Sequence, residues 1–240
     1  MKAIPLPRCL STLLLVIVLS GCQTAQMHIP SELLTSIETY PCIGRGGFTL
    51  SEQFSFGPFQ VENVHRGWTQ TTAWGIVFFE RSHTRQQFEY TLQGPTGAPW
   101  QGQAATGVRK SDLKGTVAGG DLTWGIGSDQ HFVVRIGRGD KPQAWTLVLA
   151  EGSGDTTLAG QFSDGQVSYR VEGSHKLAGS PIALTDTTGY LIYQGRLLVA
   201  AVDVLNAGSV TFAPEVTVAQ RDSLAAAAAA LLLYQDLSQD

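Results

Sequence analysis

Charge is scarce in this chain: only 15% of its 240 residues are charged, and the 20 acidic residues outnumber the 16 basic ones. A balance on the acidic side lacks the basic footprint that holds a phosphate backbone, which excludes nucleic acid as a partner. Cysteine is nearly absent, with Cys9, Cys22 and Cys42 too few for a disulfide framework. No apolar run reaches the roughly 18 residues that mark a membrane-spanning helix. The constellations of common chemistries are missing as well. There is no His-Glu-x-x-His pair for zinc, no Gly-x-Ser-x-Gly elbow and no glycine-rich loop ending in Gly-Lys-Ser or Gly-Lys-Thr. The five histidines, His28, His65, His83, His131 and His175, are scattered singly, whereas a metal needs several ligands converging. Neither a metal nor any other cofactor is expected.

What is present begins at the N-terminus. Lys2 and Arg8 give a short basic start, residues 10–19 are apolar, and Leu19-Ser20-Gly21-Cys22 closes the segment. Charge, length and ending are those of a signal peptide spanning residues 1–21. The ending resembles the lipobox of bacterial lipoproteins, in which small residues precede a cysteine that becomes the lipid-modified first residue of the mature chain. The resemblance implies that Cys22 carries lipid and that the protein is anchored in the cell envelope through it. Gln23 stands where inner-membrane members of that family often carry aspartate, so the implied location is the outer membrane. Cys9 then departs with the signal and Cys42 is left as the mature chain's one thiol, which excludes an intrachain disulfide. Losing Lys2 and Arg8 leaves 14 basic residues against 20 acidic ones, a formal charge of −6. Anchoring to anionic headgroups is not favoured by that charge, so the acyl chains must supply it.

Residues 22–43 are mixed and polar and read as a membrane tether, with a strand or helix packed on the domain as the alternative; 44–240 read as one β-rich domain. Phe48 and Leu50 alternate with polar residues, as do Phe54 and Phe56, Phe59 and Val61, and Phe88, Tyr90 and Leu92. Residues 74–79 are apolar on both faces, the pattern of a strand covered on both sides. Further strand candidates are 100–105, 122–126, 132–136, 144–150, 158–162, 166–171, 190–193, 197–205 and 209–212. Turn clusters such as Ser163-Asp164-Gly165 and Asn206-Ala207-Gly208 separate them. The spacing predicts an antiparallel barrel or sandwich of about twelve short strands.

The chain ends in a run with nothing polar on it, residues 224–233, six alanines between leucines. A helix apolar all round belongs in a core or a membrane, and ten residues rise only about 15 Å, too short to span. Thr217 and Gln220 fit a capping box, which places the helix at 218–235. Alanine keeps it narrow, and the strands pack either on it or around it. Short strands followed by one apolar C-terminal helix resemble, in arrangement only, the tubby C-terminal fold shared with phospholipid scramblases and LURP-one-related proteins. That resemblance implies a roughly twelve-stranded barrel enclosing the helix. It supplies no matching site residues, so no phosphoinositide or calcium site is carried over.

A few residues stand out as candidates for binding. Asp203 is an acid in an otherwise apolar strand; burial would raise its pKa, as at functional sites, whereas a strand-end position would let it bond the following turn. Arg66 and Trp68 lie in the most polar aromatic segment, suited to stacking on an envelope glycan, although tryptophan in β-proteins is commonly core. Trp74, Trp100, Trp124 and Trp145 share that ambiguity. Arg138-Gly139-Asp140 matches an adhesion tripeptide but also makes an ordinary turn. The composition points to a binding or structural protein with a glycan or protein partner and no catalytic residues. The alternatives are an envelope hydrolase using Asp203 or Glu80 with His83, and a lipid carrier with an apolar cavity.

Overall fold

The computed structural model of the chain describes residues 24–31, 38–46, 52–67, 86–109, 130–139, 144–151 and 158–237. They form twelve strands and one helix. The strands are β1 (Glu38–Ile43), β2 (Phe54–Phe56), β3 (Phe59–Arg66), β4 (Gln86–Gln93), β5 (Trp100–Arg109) and β6 (Gln130–Arg138), then β7 (Trp145–Glu151), β8 (Leu158–Ser163), β9 (Ser168–Ser174), β10 (Gly189–Gln194), β11 (Leu197–Asp203) and β12 (Ser209–Phe212). Helix α1 spans Val218–Leu237. Each strand pairs antiparallel with its sequence neighbours, and β1 pairs with β12 to close the ring. Of the two expected architectures, the closed barrel is the one formed.

Side-chain alternation decides which surface of the sheet becomes the inside. Across β3, β4 and β5, Val61 faces Leu92 and Phe88 faces Ala104, all buried. The alternate residues pair Gln60 with Gln93, Glu62 with Thr91 and Glu89 with Gln103. These strands are apolar inward and polar outward, the reverse of a lipid-spanning barrel, which carries its apolar band outside. On β6 and β7 the outward Val133, Val148 and Ala150 are buried too, so that part of the wall is covered on both sides.

Eight strands close on an interior that side chains alone can fill, and a ring of twelve leaves an axial space. Helix α1 occupies it. Residues 224–233 have no exposed surface, and the helix touches β4, β5 and β6 as well as β11 and β12. In the ring order β5 and β11 stand half a turn apart, so a helix touching both lies on the axis. Tyr90 shows how close the fit is: its ring lies where a side chain on Gly102 would be, and its hydroxyl donates to the Ala226 carbonyl at 2.6 Å. Burial pushes the Tyr90 phenol well above its ordinary pKa, so it stays a donor. At the start of α1 the backbone N–H of Thr217 donates to Gln220 Oε1 at 3.0 Å, closing the expected capping box. The helix ends two residues later than the sequence places it, at Leu237. No helix among the described residues is long and apolar enough to cross a membrane.

Two differences from the sequence reading concern the span 22–43. First, its end is strand β1. Pro41 hides this strand from pattern reading, because proline cannot donate to a ladder. The Cys42 N–H points to β12, donating to Gly208 O at 2.9 Å, so the proline nitrogen points to the β2 side. There β1 pairs only through Cys42 and Ile43, and no ladder bond is lost. Second, residues 24–31 do not stand off the domain: Met27 is buried and bridges Leu177. Over these residues the segment packs on the domain, the alternative that the sequence leaves open. The strands expected around Phe48 and Leu50, at 74–79 and at 122–126 lie outside the described residues.

Candidate functional site

With the axis filled by apolar atoms apart from buried tyrosine hydroxyls such as that of Tyr90, the charged groups that meet the rod among the described residues do so at its two ends. At the C-terminal end of α1 the last carbonyls carry the negative end of the helix dipole, and the helix has no basic residue in its own last turn. Two arginines supply the cations, Arg45 from the turn after β1 and Arg66 from the end of β3. Arg45 is buried and donates from Nη2 to Leu232 O at 3.2 Å, while its Nη1 reaches Val204 O at 3.1 Å and Asn206 O and Ala207 O at 3.3 Å. It ties the helix end to the β11–β12 turn, where Asn206 takes the left-handed conformation that asparagine tolerates. Arg66 donates to Leu233 O at 3.3 Å, lies over the Phe88 ring and grips Glu52 with two bonds, Nε to Oε2 at 2.7 Å and Nη2 to Oε1 at 2.5 Å. Each cation so placed contributes about 0.3–1 kcal/mol to the helix.

Asp203 sits at the same end, as the last residue of β11. Its Oδ1 accepts from Leu205 N and its Oδ2 from Met27 N, both at 2.9 Å. Gly189 leaves the room that Met27 needs, since a side chain there would overlap the Met27 sulfur. Burial raises the Asp203 pKa above its usual 3.8, with the two N–H donors and the Arg45 charge pulling the other way. The native state therefore holds this proton more tightly than the unfolded chain does. The carboxyl favours the fold below pH 3.8, and that contribution is lost as pH rises through its native pKa. Relative to Asp203→Asn, the wild type is expected to lose stability across that interval on going toward neutral pH. Urea denaturation of both proteins at acid and neutral pH reads the slope; the opposite slope would mean that the N–H donors outweigh burial.

At the N-terminal end Asp222 is buried inside the first turns of α1, with Arg138 Nη1 at 3.7 Å and the Thr96 hydroxyl hydrogen-bonded to the same oxygen, Oδ2. The Arg138 guanidinium lies over the Trp100 ring, 5.2 Å from its centre. This places Arg138 in the core and not on an adhesive loop tip; Asp140 of that tripeptide lies outside the described residues. Nearby Arg221 reaches the Glu38 carboxylate and the Tyr40 hydroxyl and lies over Phe212.

Of the residues singled out in the sequence, Arg66 and Asp203 are thus brought to one end of the barrel. Cys22, Trp68, Trp74, Glu80, His83 and Trp124 lie outside the described residues. Trp100 is buried, and Trp145 stacks on Phe162 with ring centres 4.6 Å apart. Arg45 escaped the sequence reading. The available signal was indirect: a helix ending without its own basic residue calls for one from elsewhere, and Arg45 stands alone in the glycines after β1. Among the described residues no three of histidine, cysteine, aspartate and glutamate converge as metal ligands. No protein-family model, curated protein or solved structure matches the chain.

Proposed function

We propose that this chain is a lipid-anchored protein of the bacterial envelope, held at the outer membrane by acylated Cys22, with a barrel that serves as a binding or structural module. The observation that carries the reading is Leu19-Ser20-Gly21-Cys22 at the end of a basic and then apolar leader. A non-catalytic role is supported by how the polar groups are used. Both Asp203 oxygens accept backbone N–H groups, and Arg45 and Arg66 serve the helix end. A lipid carrier would need the axis free for an acyl chain, and α1 fills it. A glycan or protein partner is accordingly met on the outside of the barrel.

The test is Cys22→Ser in the producing cell. The variant is expected to lose incorporation of labelled palmitate and to move from the membrane to the soluble fraction. A variant still fractionating with the outer membrane would put the anchor elsewhere.

A further inference from the structure

The segment directly after Cys22 is pinned to one end of the barrel. Ala25 O accepts from Asn206 Nδ2 at 2.8 Å, Gln26 O from Ala178 N at 2.9 Å, and Met27 N donates to Asp203 Oδ2 at 2.9 Å. His28 N donates to Lys176 O at 2.9 Å. Ala25 is three steps along the chain from Cys22, and a chain extends at most about 3.6 Å per residue, so the lipid-bearing cysteine lies within roughly 11 Å of this end. Acyl chains on that cysteine enter the bilayer, so the end of the barrel is held at the depth of the lipid headgroups.

The same end presents apolar side chains to solvent. The described residues expose five large apolar side chains, and three of them are here: Ile43 at 69%, Ile182 at 71% and Leu184 at 40%. Ile182 and Leu184 flank Ala183, which bridges Lys176, the residue that receives the His28 N–H. Ile43 follows Cys42, whose N–H bonds Gly208 in the turn that holds Ala25. The loop between β9 and β10 is a fixed support. Buried Thr188 donates its hydroxyl to Ser174 O at 2.9 Å and Lys176 O at 3.1 Å, and Leu184 N donates to His175 O at 2.8 Å. Scattered exposed apolar residues carry no meaning, but residues gathered around an anchor point have one neighbour available.

We infer that the lipid bilayer itself covers this end of the barrel, with Ile43, Ile182 and Leu184 inserted at the headgroup boundary beside the acylated cysteine. The inference rests on the lipid-anchor reading above. Contact is apolar and not electrostatic, because the mature chain's charge of −6 gives anionic lipids no attraction. The orientation follows: β10 runs away from the membrane and β11 returns to it, and their hairpin with Leu197 and the N-terminal end of α1 face outward into the envelope.

The test uses the full lipidated protein reconstituted in phosphatidylethanolamine and phosphatidylglycerol vesicles. Ile182→Cys and Leu197→Cys are each labelled with a polarity-sensitive fluorophore; Leu197 is 51% exposed at the far end, and the unsubstituted protein, whose Cys42 is buried, gives the background. The label at 182 is expected to shift to the blue on reconstitution and to lose most of its emission to spin-labelled lipids, and the label at 197 to do neither. If Ile182→Cys melts below the unsubstituted protein, Leu184→Cys is read in its place. Palmitate incorporation and flotation of the same samples separate the two readings. An acylated, floating protein whose label at 182 behaves like that at 197 overturns the docked end and spares the anchor. A protein that takes up no palmitate overturns both.

Discussion

Ala227→Arg is expected to abolish the folded domain. Ala227 has no exposed surface and lies midway along the buried stretch of α1, next to the carbonyl that receives the Tyr90 hydroxyl. An arginine there cannot reach either end of the barrel, where the polar groups are, so its charge stays in an apolar interior. The effective penalty for an unpaired buried ion is several kcal/mol, and overpacking adds about 1–3 kcal/mol. Against a total stability of about 5–15 kcal/mol for a domain, the sum removes most or all of the fold. Val218→Arg, on the exposed first residue of the same helix, is expected to cost no more than about 0.5 kcal/mol. Thermal melts of the two variants check the contrast. An unchanged transition for Ala227→Arg would mean that the helix does not run along the axis.

That expectation was already available from residues 224–233 alone, because a segment with no polar face has only one place to go in a chain too short to span a membrane there. Period-two alternation likewise exposed β2 to β12, each of which falls on a stretch whose apolar residues recur at every second position or run continuously. The elements that escaped were those defined by partners distant in sequence. Strand β1 carries Pro41, tolerated only because Gly208 and β2 leave its nitrogen side open. The docking of residues 24–28 rests on main-chain groups meeting Asp203, Lys176 and Ala178, about 150–180 residues away, and main-chain groups leave no mark on composition. Arg138 reads as a turn residue and Arg45 carries no reading of its own, yet both are buried cations, since nothing local announces that a helix end lies across the barrel. Asp203 stands out in the sequence as a carboxylate among apolar residues, but its partner Met27 N lies 176 positions away and leaves no local signal.

The buried Asp222 and Arg138 pair carries the second large expected effect. Both side chains are almost wholly removed from water, and the pair closes the helix N-terminal end of the barrel as Arg45 closes the other. Arg138→Leu removes the cation and leaves Asp222 with the Thr96 hydroxyl at Oδ2 and no hydrogen-bond partner at Oδ1. Truncating one member of a buried ion pair costs about 3–5 kcal/mol, because the surviving charge remains desolvated. Asp222→Leu removes one partner of the guanidinium, which keeps its place over Trp100, and is expected to cost somewhat less. The double variant removes both charges, and well-packed apolar replacements of a buried pair are often neutral, so it is expected to be more stable than Arg138→Leu alone. Urea denaturation of the four proteins closes the cycle. A coupling of several kcal/mol assigns the pair to the fold, whereas additive effects would show that Arg138 and Asp222 act independently. Additivity would also mean that Arg138 is held by contacts other than Asp222, Trp100 among them, and that the 3.7 Å separation from Asp222 is too wide to bind them. The two ends of the rod then differ in kind: one closed by arginines donating directly to helix carbonyls, the other by an acid within the helix that needs a cation from the wall.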